Sequence, residues 1–148
     1  MFKLTTCIAS CLLTFTINFL FAMPSSYADT LSHAPKEAQA YITKPQNGST
    51  VPETFTVEFG LSGMEVAPAG VDKEGTGHHH LLIDVSETPD LTTALPASYN
   101  VRHFGAAQTE TELTLPSGKH TLQLILGNYA HVPHDNPVVS EPIEIVVE

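Results

Sequence analysis

The sequence predicts an all-β chain folded as a two-sheet sandwich of immunoglobulin-like or fibronectin-like type. Three observations carry that expectation. Apolar residues recur at every second position in short runs, clusters of Gly, Pro and Asn separate the runs, and helical periodicity is weak throughout. The two cysteines, Cys7 and Cys11, both lie near the start of the chain, so no disulfide framework is expected to hold the fold.

The first 28 residues read as a leader rather than as fold. Lys3 precedes an apolar stretch from Ile8 to Ala22, and Ser26 and Ala28 place small side chains where a signal peptidase reads, which predicts cleavage after Ala28 and export to the periplasm or beyond the cell. The apolar stretch is interrupted and short for a bilayer span, so no stable membrane insertion is expected after cleavage. A lipobox reading of "IASC" leaves too little apolar sequence ahead of Cys11. Because both cysteines leave with the leader, any metal on the mature chain falls to histidine, methionine or carboxylate.

Residues 29–39, "DTLSHAPKEAQ", are polar and aperiodic and read as a flexible N-terminal arm. His33 within it is the fifth mature residue, whereas a copper-binding amino terminus needs histidine at the third, so His33 is left out of any site. Residues 40–148 then form one sandwich domain, beginning with a strand near Ala40 to Lys44 and a turn at Pro45 to Ser49. "TFTVEFGL" alternates cleanly, with Phe55, Val57, Phe59 and Leu61 on one face.

A Gly- and Pro-containing loop with Met64 leads to "GHHHLLIDV", in which Leu81, Ile83 and Val85 form a core face that His79 shares. Residues 87–102, "ETPDLTTALPASYNVR", read either as one irregular connection or as a connection holding a short edge strand. Three alternating segments follow, marked by Leu113 and Leu115, by Leu122, Leu124 and Leu126, and by Ile143, Ile145 and Val147. Pro142 ahead of the last suggests an edge or a bulge, since proline cannot donate to a ladder.

This arrangement sorts the histidines. His79 faces the core and is expected to be structural, with its ring nitrogens hydrogen-bonded. His120 follows "LPSG" at a corner where sandwich domains often place a tyrosine that bonds back to the chain, and is expected to make that bond. His78 and His80 point to the opposite face from His79. In an immunoglobulin-like order the loop between the last two strands lies at the same end of the sandwich, which brings His131 and His134 of "HVPH" near them. His103, in "RHFG", is placed in a third loop at that end. His78, His80, His131 and His134 are therefore the candidate metal ligands, with His103 as a fifth ligand or a support to the others.

Several neutral imidazoles without cysteine suit copper(II), zinc or nickel; Met64, if it reached the site, would extend the choice to copper(I), although its bland role is packing. The chain has 16 acidic residues against 6 basic, a formal net charge of −10 with histidines neutral, and loss of Lys3 makes it more negative. That balance excludes a nucleic-acid or anionic-lipid partner and suits a cation.

The segments "APAGVD", "TGHHHLLID", "HFG" with "QTE", "GKHTLQL" and "HVPH", in that order and spacing, resemble domain-of-unknown-function family 4399, a family of exported bacterial domains. The resemblance spans about Ala40 to Val147 and implies a compact periplasmic β-domain without an assigned activity. Its matched positions here include His78, His79, His80, His103, Gln108, Thr109, Glu110, His120, His131 and His134.

No GxSxG elbow, HExxH pair, phosphate loop or nucleotide fingerprint is present; a hydrolytic site with Glu110 or Asp72 beside bound zinc stays open, but no spacing singles out a base, so a non-catalytic role is favoured over an enzyme. Two readings of function lead, with a pH-responsive histidine cluster without metal as a third. One is a periplasmic or secreted protein that binds copper or zinc through the histidine cluster. The other is a non-catalytic interaction module for a protein or glycan partner, in which the histidines form a hydrogen-bond network.

Overall fold

Alternation in the longest strands decides the architecture. A computed structural model describes residues 31–148, and its elements are β1 (Gln39–Lys44), β2 (Thr50–Val51), β3 (Thr54–Ser62), β4 (Glu65–Val66), β5 (Thr76–Ile83), β6 (Val101–His103), β7 (Glu110–Thr114), β8 (Gly118–Gly127) and β9 (Ile143–Val147). The leader and its cleavage site lie outside the described residues. One sheet has the order β1-β3-β7; the other runs β2-β9-β8-β5, with β4 and β6 both paired to β5. The described residues are thus all-β and form a two-sheet sandwich, as the alternation predicts.

Phe55, Val57 and Phe59 of β3 and Leu113 of β7 face Leu81 and Ile83 of β5, Leu122, Leu124 and Leu126 of β8, and Ile145 and Val147 of β9 across the core. Burying each of the larger side chains contributes about 1.5–3 kcal/mol. Met64 packs against this same core. Proline's effect at position 142 is confined to the residue before β9, because the strand is flanked on both sides, by β8 along its length and by β2 at Val146 and Val147. It is neither an edge strand nor bulged where it pairs.

β5 is buried over its whole length, on both faces. The outer face is covered by residues that the sequence left unassigned: Leu95 and Val101 pack with Leu82 and Ile125 in a second apolar cluster, joined by Leu91 and Val139. Val85, expected on the inner face, joins this outer cluster instead. The reason is Asp84, whose φ of 54° ends the alternation one residue earlier.

The polar lead-in is not a free arm over its described part. The Ala34 N–H donates to Asp135 Oδ1 (3.1 Å), His33 Nδ1 donates to Asp135 Oδ2 (2.9 Å), and the Asp135 N–H donates to the Ser32 carbonyl (3.0 Å). Ala34 is fully buried in the main core. Lack of periodicity concealed a segment that docks through single residues.

Candidate metal centre

The site is built where β5 begins, β8 ends and β6 runs alongside. Period-two alternation sends His79 inward and His78 and His80 outward. His79 lies against Phe59, ring centroids 5.4 Å apart, and is fully buried. Neither of its ring nitrogens meets a hydrogen-bond partner, contrary to the expected bonded structural histidine. Burial alone pushes its pKa down to about 4, so the ring sits in the core as a neutral group.

On the other face four imidazoles meet. Ring centroids of His78 lie 4.9 Å from His80, 5.0 Å from His103 and 5.0 Å from His131; His103 lies 5.2 Å from His80 and 4.7 Å from His131. One ligand atom from each of His78, His80 and His103 falls within 4.8 Å of the other two. His78 and His80 are buried while His103 is exposed, so the group has a closed floor and one side open to solvent. None of the four ring nitrogens of His78 and His80 has a hydrogen-bond partner among the described residues. An unpaired buried donor costs about 1–3 kcal/mol, which makes this cluster expensive unless it has another purpose.

Each histidine reaches the cluster by a different local device. His103 stands on β6 as the cross-strand partner of His80, rather than in a loop. His131 is carried by the turn after β8, where Asn128 Oδ1 accepts the N–H groups of Ala130 (2.9 Å) and Val132 (3.1 Å). The turn holds His131 at φ 68°, an uncommon conformation for a residue with a Cβ, and the His131 carbonyl accepts the Leu95 N–H at 2.9 Å. Space comes from two glycines. A Cβ on Gly127 would lie 2.7 Å from His80 Cε1, and one on Gly105 would overlap the His103 ring.

His134 stands apart from these ring contacts. Its Nε2 donates to the Thr76 carbonyl at 3.1 Å, which fixes the buried ring beside the entry to β5. The sequence spacing that joined it to His131 is interrupted by that bond. His120 makes the corner bond expected of it: Nε2 donates to the Pro116 carbonyl (2.8 Å), and Nδ1 donates to Asp84 Oδ2 (2.7 Å).

Electrostatics separate the two groups of histidines. Burial pushes His78 down to about 4, with His103 and His131 adding to the effect. Burial, then His78, His103 and His131, push His80 down to about 3; the nearby His78 backbone pulls the other way without coming into hydrogen-bond geometry with the ring. Burial also lowers His103, His131 contributing. For His120, burial pulls downward but the bonds to Asp84 and Pro116 outweigh it and raise the pKa. His78, His80 and His103 are therefore neutral imidazoles near neutral pH, the form a transition metal requires.

Comparison with known proteins adds the following. A family model for a domain of unknown function, DUF4399, matches residues 57–148, a stretch that includes the four clustered histidines. No curated protein matches the chain. A solved structure described as fibronectin(III)-like modules of Clostridium thermocellum CbhA is similar at 14% identity and a TM-score of 0.39, covering 74% of this chain and 45% of that one.

Proposed function

The chain belongs to the DUF4399 family, and we propose that it is an exported β-sandwich protein that binds one zinc or copper ion at the end of its larger sheet. The observation that carries this reading is the convergence of His78, His80 and His103, two of them buried with no ring nitrogen hydrogen-bonded. An ion bound there would take one lone pair from each ring and offset part of the cost of burying them. His131 lies in ring contact with the set, and His134 supports the loop from outside it. The chemistry of the donors favours zinc or copper(II), because imidazole suits both and Met64 is taken up by core packing.

The test is metal analysis of untagged mature protein, followed by thermal melts with zinc, copper or a chelator. The proposal expects about one ion per chain and an upward shift in Tm with the bound ion; at a free concentration of 100 times Kd, the stabilisation is about 2.7 kcal/mol. No ion and no shift would leave the non-catalytic interaction module, with a protein or glycan partner, as the working reading.

A further inference from the structure

We infer that the metal site keeps one coordination position for a small exogenous anion, on the side where His103 meets solvent and beside the ring of His131. The inference rests on the metal reading above and adds the class of ligand the bound ion takes.

Charge gives the first argument. The set of His78, His80 and His103 contains no carboxylate and no thiolate, so every protein donor in it is neutral. A divalent ion held by three neutral imidazoles keeps its full +2 charge, two of whose ligands sit on a buried floor. Isolated buried charge is costly, and the cost is relieved by an opposite charge in contact. Since the set supplies none, the counter-charge has to come from solution.

Geometry gives the second. Three ligand atoms lie within 4.8 Å of one another, so an ion would have to draw them in to the roughly 3.3 Å spacing of one face of a zinc tetrahedron. His78 and His80 close that arrangement from below, while His103 is exposed and marks where a ligand can enter. His131 is next to this opening, its centroid 4.7 Å from His103 and 5.0 Å from His78, yet it falls outside the three-atom set. The turn organised by Asn128 holds it there at a positive φ. In that place its ring is suited to bond a ligand on the ion rather than the ion itself. Three protein ligands and a free position are the hallmark of zinc sites that exchange ligands, whereas purely structural sites are filled by four protein donors.

Cobalt(II) replaces zinc in such sites and reports its ligands through its visible spectrum, so the experiment is titration of the cobalt-loaded protein with azide. The expected result is a cobalt spectrum that changes saturably with one azide per ion. In His131→Ala, the cobalt spectrum is expected to persist and azide to bind about fivefold more weakly, the loss of one hydrogen bond. A wild-type spectrum indifferent to azide would overturn the inference; if His131→Ala then became sensitive, His131 would be identified as the fourth ligand. Absence of any protein-bound cobalt spectrum, together with no zinc or copper in the metal analysis, would instead sink the metal reading and this inference with it.

Discussion

His80 on β5 and His103 on β6 are cross-strand neighbours, with rings 5.2 Å apart, one buried and the other exposed. The pairing puts a rigid candidate ligand and an accessible one on adjacent strands, each held by a backbone ladder rather than by a loop. Sites on strands are positioned more tightly than sites on loops. Replacing His103 by alanine is therefore expected to weaken zinc or copper binding by at least about tenfold while changing the stability of the metal-free protein by no more than about 0.5 kcal/mol. Calorimetric metal titration beside a denaturant melt measures both; unchanged affinity would remove His103 from the ligand set.

Gly127 is the position where fold and site compete most directly. Adding a methyl group there would bring Cβ to 2.7 Å from His80 Cε1 and 3.3 Å from the His131 carbonyl carbon. Gly127→Ala is expected to cost about 1–3 kcal/mol through overpacking and to displace His80 from the cluster. Melts of the metal-free variant and its zinc titration check the two effects separately. A variant with native stability and native affinity would show that the ring has room to spare.

Much of this arrangement was legible in the alternation of the sequence. Period two alone separates His79 from His78 and His80, and it places Phe55, Val57, Leu122 and Leu124 in the core where they are found. The convergence of β5 with the loop after β8 follows from antiparallel pairing of His78 with Gly127.

What the alternation could not reveal lies in aperiodic chain. Residues 87–102 cover the outer face of β5 through Leu91, Leu95 and Val101, scattered among polar residues with no repeat to mark them. The same irregularity left open whether a short edge strand lay there; β6 is such a strand, but its bounds carry no signal, so His103 reads as a loop residue. His134 reads as the partner of His131 by spacing, but a single bond to the Thr76 carbonyl decides where its ring goes. Contacts of that kind depend on tertiary placement and leave no trace in local pattern.

The buried imidazoles make the metal-free protein sensitive to acid. His78 and His79 are pushed down to about 4 and His80 to about 3, while in the unfolded chain each titrates near 6.5. Between those values the unfolded state binds protons that the folded state does not, so stability is greatest above pH 6.5 and falls as pH is lowered through 5. Each ring contributes up to about 1.4 kcal/mol per pH unit in that window. Urea melts with chelator present at pH 7.5 and 5.5 are expected to show a clearly lower midpoint at 5.5. Equal midpoints would mean that the rings are solvated or already paired.

His120 works in the opposite sense. Its folded pKa is raised by its bonds to Asp84 and Pro116 despite burial, so its contribution is present below pH 6.5 and lost as pH rises through the raised value. Asp84→Asn keeps a residue that tolerates the positive φ while removing the charge. The substitution is expected to cost about 1 kcal/mol at pH 6, and less at pH 8.5. Melts of wild type and variant at the two pH values give that difference; a cost that grows with pH would contradict the assignment of a charged His120.

Native mass spectrometry with added zinc tests the central claim most directly, because it counts ions on each folded chain. The account predicts a single tightly held zinc on the wild-type protein, lost when His78 and His80 are both replaced by alanine while the charge-state distribution remains that of a folded chain. Zinc bound equally by the wild type and a folded double variant, or by neither, would contradict it.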